Sequence, residues 1–295
     1  MKFGYSLKEK SFSALLGLFF LICVAVTIFP ILSVIAQSLS SSRALNTGEV
    51  GIWPVEPTID AYRNLVKDGQ IFHSIWNTVI LTVVGVVLNM IFTICAAYPL
   101  SKKHLDGRKF ILMMITFTMM FNGGMIPTFI LVKKLHLINS YWALWGLGLI
   151  STYNMFVMKT FFEGIPSSLE ESASIDGAND IQILIKIILP VSMPVIATLT
   201  LFYAVGWWNM YFNAVIYINS SAKAPLMVKL KQMIDNVSQS LLQTTSGSEG
   251  VRSDQITPQG MQAAAIITAT VPILCVYPFL QKYFVKGVMI GSVKG

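Results

Sequence analysis

Ionisable side chains are scarce in this chain. Of 295 residues only 14 are acidic and 21 basic, and histidine and cysteine number three each. Cys23, Cys95 and Cys275 show no C-x-x-C spacing, which leaves no metal or redox cluster to build and makes them read as small buried hydrophobes. His73, His104 and His136 are far apart in sequence, so a histidine metal centre or a Ser-His hydrolase has little to draw on. The net charge of +7 is not organised as a basic face interleaved with exposed aromatics, which excludes nucleic acid as the partner.

What the chain has instead is long apolar runs. Hydrophobic residues make up 54% of it, and a helix crossing a hydrocarbon layer needs roughly 20 of them in a row. Blocks that meet this requirement cover about 12–36, 77–100, 110–132, 141–158, 191–218 and 260–280. The expected fold is therefore an all-α membrane protein with six transmembrane helices in a single domain over 1–295. The first block follows Lys2, Lys8 and Lys10 as a secretory leader would. It is longer than a signal core and carries Pro30, which predicts a retained span.

Basic residues near span ends stay on the cytoplasmic side. Both termini placed inside puts Lys2, Lys8, Lys10, the tight cluster Lys102, Lys103, Arg108 and Lys109, then Lys159, Lys186, Lys282, Lys286 and Lys294 in the cytoplasm. Arg43, Arg63, Lys67, Lys133, Lys134, Lys223, Lys229, Lys231 and Arg252 fall outside. The positive charge is then a matter of topology and contact with anionic membrane lipid.

None of the six blocks holds Asp, Glu, Lys, Arg or His in its interior, and this speaks against an ion-coupled secondary carrier, which needs such groups or unwound backbone near the mid-plane. The spans hold neutral amides instead, Asn89, Asn122, Asn154, Asn209 and Asn213. Nor does the chain bind nucleotide by its own motif. The tail from Gly287 to Gly295 lacks the G-x-x-x-x-G-K-[ST] pattern of a phosphate loop, so any ATP is bound by another subunit.

The polar insert over about 163–190 has its own local logic. Pro166 closes the preceding segment, and Ser167 with Glu170 forms an S-x-x-E capping box for a helix over about 168–175. Asp176-Gly177 supplies a residue able to take positive φ and stop that helix. Asn179 or Asp180 caps a second helix running through Ile181, Leu184, Ile185 and Ile188, and Pro190 and Pro194 bend the start of the following span. Two short helices joined by a glycine make a knob that fits a cleft. An ordinary interhelical loop with interfacial helices fits the same signals.

Glu171, Ala173 and Gly177, then nine residues, then Ile187, Leu189 and Pro190 resemble the E-A-A-x-x-x-G … I-x-L-P loop of permease subunits in bacterial binding-protein-dependent ABC importers, with Ser172 in place of the middle alanine. Other stretches resemble the sugar-importing branch, the maltose-type second permease and the Lpl-type oligosaccharide permeases of Gram-positive bacteria. These are Ala97-Tyr98-Pro99-Leu100-Ser101 with Asp106-Gly107-Arg108, then Phe121-Asn122-Gly123-Gly124-Met125-Ile126-Pro127, and the closing run from Lys286 to Gly295.

The resemblance implies a type I importer permease that pairs with a second permease subunit on two ATPase subunits, and takes an oligosaccharide from an extracellular solute-binding lipoprotein by alternating access. ATP and Mg belong to the partner ATPase, with no cofactor on this chain and no catalytic or metal site. Glu170, Glu171, Ser172, Ala173, Asp176, Gly177, Ala178, Ile187, Leu189 and Pro190 become the ATPase-coupling set. Gly287, Gly291, Lys294 and Gly295, in the cytoplasmic tail 282–295, become a regulatory element beside the ATPases, against the plain reading of a flexible end. A permease for a non-sugar solute shares the loop and is the alternative.

The expected solute path is in the fifth block, where Asn209 and Asn213 lie one helical turn apart near Trp208 and Tyr211. Amides bond sugar hydroxyls and aromatic rings stack on pyranose faces, yet amides are also common helix-to-helix glue, the reading favoured here. The outer segments, 37–72 and 219–258, are either receptor-docking surface or solvated loops.

Overall fold

The computed structural model describes residues 7–67, 69–121, 123–246 and 257–292. In chain order its helices are α1 (Leu7–Ser38), α2 (Ser42–Thr47), α3 (Asp60–Lys67), α4 (Gln70–Ser101), α5 (Arg108–Met120), α6 (Met125–Lys134), α7 (Tyr141–Leu147), α8 (Thr152–Glu163), α9 (Ser167–Ile175), α10 (Asp180–Ile183), α11 (Leu189–Val191), α12 (Met193–Trp208), α13 (Phe212–Tyr217), α14 (Leu226–Ser246) and α15 (Pro258–Ser292). A π turn, Leu184–Ile188, joins α10 to α11, and there is no strand among the described residues.

Two compact units divide the chain. The first comprises Met1–Ile71 and Leu230–Val271, the second Phe72–Lys229 and Pro272–Gly295. In the first unit α1 presents apolar side chains along its length, with Phe19, Phe20, Leu21 and Val26 each more than half exposed, as a lipid-facing helix does. Its far end is anchored. Tyr62 Oη donates to Ser38 Oγ at 2.8 Å, Thr58 N–H donates to Leu39 O at 2.9 Å, and Ala36 and Ser38 are buried.

In the second unit α4 is the packing axis. Asn77, Leu81, Gly85, Asn89, Thr93, Ala97 and Ser101 are all buried, a ridge at strict four-residue spacing of the kind that interdigitates with a neighbouring helix. Small and amide residues on that ridge allow backbones to approach closely where lipid supplies no hydrophobic drive. Trp207 of α12 lies over Gly85 so tightly that an added Cβ would sit 2.4 Å from the indole ring.

The six expected apolar blocks are all helical, but not as six rods. Among the described residues α1 and α4 are the single runs long and apolar enough to cross a membrane. The number rises to four if α5 with α6, and Asp180–Val191 with α12, are each one span. The block 141–158 is cut at residues 148–151 and the block 191–218 at residues 209–211. Broken backbone at membrane depth is tolerable only when its polar groups are satisfied inside the protein. At the first cut Asn89 Nδ2 donates to Gly148 O and, at 2.8 Å, to Leu149 O, while Ser151 N–H donates to Tyr203 Oη at 3.1 Å. Trp207 Nε1 donates to Asn89 Oδ1 at 2.5 Å, and Tyr203 Oη pairs with Thr93 Oγ1 at 2.7 Å. Asn89 thus acts as glue between helices, a role read from the sequence for Asn209 and Asn213. The cysteines correct their expectation, since Cys95 and Cys275 are exposed on this chain and Cys23 is half-buried.

Candidate functional site

The insert folds as two short helices at an angle. α9 ends in a Schellman motif, with Ala178 N–H donating to Ala173 O at 3.0 Å and Gly177 N–H to Ser174 O at 3.1 Å. This requires Gly177 at φ 84°, where a β-carbon is strained. α10 begins with a full capping box. Gln182 N–H donates to Asn179 Oδ1 at 2.9 Å and Asn179 N–H to Gln182 Oε1 at 3.0 Å.

The capping box expected at the other helix is absent. Pro166 occupies the N-cap of α9 without a side-chain bond, and Glu170 is instead drawn away to an ion pair with Lys102. An ammonium group within reach outcompetes a neutral backbone N–H for a carboxylate.

Beyond α10 a π turn intervenes, closed by Leu189 N–H donating to Leu184 O. The extra residue lets Ile183 and Ile188, five apart, both bury at 3% and 1% exposure. The chain then bends by 82° between Asp180–Val191 and α12, with Pro190 and Pro194 on either side of Ser192, as the prolines predicted.

The predicted coupling residues separate by face. Ala173 is buried, Glu170, Ala178, Ile187 and Leu189 are partly buried, and Glu171, Ser172, Asp176, Gly177 and Pro190 are exposed. Three isoleucines that sequence reasoning left out as contacts are exposed, Ile175 at 86%, Ile181 at 68% and Ile185 at 57%, the first two at a cleft beside the insert. Large apolar side chains so exposed on a polar loop favour cover by a partner. Their signal in the sequence was an apolar residue at each position facing away from buried Ala173, Ile183 and Ile188.

Between this insert and the turn after α4 opens a cleft of about 1160 Å³, lined among others by Tyr98, Lys102, His104, Glu170, Glu171 and Asp180. Below it the ends of α4, α5 and α8 are tied together. Arg108 donates from Nε to Leu100 O at 2.8 Å and pairs with Glu163, which also accepts from Lys159 Nζ at 2.9 Å. Burial pushes the Glu163 carboxyl up, but the bond from Lys159 and the charges of Lys159 and Arg108 together outweigh it and hold it below its ordinary 4.5. The arrangement has the parts of a mechanical joint, a rigid root and a protruding knob.

Residues 107–290 match the family described as binding-protein-dependent transport system inner membrane component. The chain belongs to that family. It is 42% identical to the polygalacturonan/rhamnogalacturonan transport system permease protein YtcP of Bacillus subtilis, over 98% of this chain and 100% of YtcP. It is 44% identical to Protein LplC of the same organism, over 92% of this chain and 90% of LplC. A crystal structure of a bacterial ABC transporter involved in import of the acidic polysaccharide alginate superposes with a TM-score of 0.83 at 33% identity, over 95% of this chain and 99% of that one. The chain is thus an ABC importer permease with the type I fold, a multi-pass membrane protein and a transport component.

The other predicted sites fare differently. Asn209 and Asn213 do not share one continuous helix, because α12 ends at Trp208 and Asn209 turns back to donate to Val205 O at 3.0 Å. Asn209, Tyr211 and Asn213 are exposed on this chain and Trp208 is half-buried. Gly287 and Gly291 ride on the last turns of α15, while Lys294, Gly295 and Asn122 lie outside the described residues.

Proposed function

We propose that this permease carries oligosaccharide across the cytoplasmic membrane by alternating access, driven by ATP that partner subunits bind and hydrolyse. The knob formed by α9 and α10 is the part that seats on an ATPase subunit. The observation that carries this reading is the exposure of Ile175, Ile181 and Ile185 on a glycine-jointed protrusion whose inner face, at Ala173, Ile183 and Ile188, is pinned to the protein core. Exposed Glu171 is the residue to meet a basic or polar group on the ATPase subunit, and exposed Ser172 and Gly177 permit close approach.

A second, similar permease completes the pathway, two ATPases with their Mg and ATP sit beneath, and an extracellular lipid-anchored receptor delivers the sugar. Six spans with both termini cytoplasmic follow from the distribution of Lys and Arg, and the tail 282–295 reaches toward the ATPases. The six apolar blocks hold no ionisable residue in their interiors and the tail has no phosphate-loop motif, so the power for transport comes from the partner subunits. Relatives named for polygalacturonan and alginate make acidic oligosaccharides the first cargo to try.

The test is uptake of oligogalacturonide by the assembled importer in proteoliposomes, with ATP or an ion gradient as the alternative drive. ATP-dependent uptake is expected, and uptake that persists without ATP but fails when gradients collapse overturns the reading. Gly177→Val, which forces a β-branched side chain into left-handed backbone at a cost of about 1–2 kcal/mol, abolishes uptake while the subunit remains membrane-inserted. Uptake near wild type in that variant counts against the knob.

A further inference from the structure

Buried Ala173 seats α9 on the protein core, and across the cleft, among the described residues, one ion pair joins α9 to the end of α4. Lys102, directly after α4, and Glu170, in the first turn of α9, are 68 positions apart in sequence and meet as an ion pair on the cleft wall. Their side chains are only 21% and 24% exposed, against about half for the pairs Arg43–Glu49 and Lys231–Asp235. A part-desolvated pair is screened less and holds its geometry better than a surface pair. Both partners are oriented from a second side. The Lys102 ammonium also lies 4.3 Å over the Tyr98 ring, and Glu170 complements the positive end of the α9 dipole.

Among the described residues this is the one ion pair made by α9. The root below it is already fixed by Arg108, Glu163 and Lys159. Ala173 fixes the middle of α9 on the core, and the Lys102–Glu170 pair ties its first turn to the end of α4.

We propose that Lys102 and Glu170 are a positioning pair, a strut across the cleft that makes α4 move with the coupling knob when an ATPase displaces it. This rests on the reading of the knob as the ATPase-docking element. Glu170 then acts inside the permease and not at the partner surface, while its neighbour Glu171 is exposed. Loss of the strut lets the knob move without the span, so ATP is hydrolysed without sugar following.

The test compares Lys102→Glu, Glu170→Lys and the double reversal in the full importer, reading oligogalacturonide moved per ATP hydrolysed, together with the amount of subunit in the purified assembly. Each single reversal sets like charges together and is expected to lower that ratio about tenfold, as for other broken part-buried pairs. The double reversal restores it to within about threefold, incompletely because a carboxylate then faces Tyr98. A purely structural role would lower uptake and hydrolysis in step with the amount assembled and leave the ratio alone. If the singles fail to assemble, the ratio is read on Lys102→Gln and Glu170→Gln, which remove the pair without setting like charges together, and a wild-type ratio in both overturns the strut. Singles with a wild-type ratio, or a double no better than the worse single, overturn the strut alone. A wild-type assembly without ATP-driven uptake overturns the functional reading along with it.

Discussion

At Asn89 one amide side chain does three jobs. It takes a hydrogen bond from Trp207 and gives two to the carbonyls left bare where α7 gives way to α8. Trp207→Phe keeps most of the buried ring but leaves Asn89 Oδ1 without that donor at 1% exposure, a loss of about 1–3 kcal/mol. Gly85→Val drives two methyl groups into the same indole and costs about as much by overpacking. Thermal unfolding of the detergent-solubilised protein is expected to fall by several degrees for each variant, and by less than the sum for both together because they share Trp207. Asn89 was visible in the sequence as an amide within a span. Its partners were not, since nothing in an apolar run marks which tryptophan reaches it or where the backbone breaks.

Among elements, the insert was the most legible part. Gly177, Asn179 and the flanking prolines act through local backbone chemistry, and local chemistry can be read from neighbouring residues. The Ser167–Glu170 box failed for the opposite reason, because its competitor, Lys102, is remote in sequence and near only in the fold. The π turn escaped for want of a local signature beyond the burial of Ile183 and Ile188.

The α8 end illustrates how such remote pairs set a pH response. Glu163 has its carboxyl held below the usual value, so its ion pairs contribute fully above about pH 4.5 and are lost as pH falls through the lower, folded-state value. Hydrogen exchange of amides at the end of α8 is expected to stay slow from pH 7 to 5, after correction for intrinsic rates, and to quicken below that. Glu163→Gln removes the response and exchanges fast throughout. A wild-type profile flat to pH 3 would mean the pairing with Lys159 and Arg108 carries no local stability.

For the whole molecule, the apolar blocks predict the helical class, but they predict each block as a rod. Hydropathy averages over a window and cannot distinguish a straight helix from two pieces whose bare carbonyls are met by a neighbour, as at Gly148 and Leu149. Charge is the independent guide to topology, and the structure gives several of the supposed inside cations a structural task as well. Lys102, Arg108 and Lys159 are each paired with a glutamate, so they are fixed beside the protein and not free to follow lipid headgroups. The six-span arrangement proposed above places residues 102–107 and the insert on the cytoplasmic side, and α2 and the turn at Ser221–Lys223 on the outside. With Cys23, Cys95 and Cys275 replaced by serine, a membrane-impermeant maleimide is expected to label Thr47→Cys and Ser221→Cys in intact cells. Lys103→Cys and Lys186→Cys should react only after permeabilisation. Labelling of Lys186→Cys from outside would put the knob on the wrong face of the membrane for any ATPase, whatever its resemblance to a coupling element.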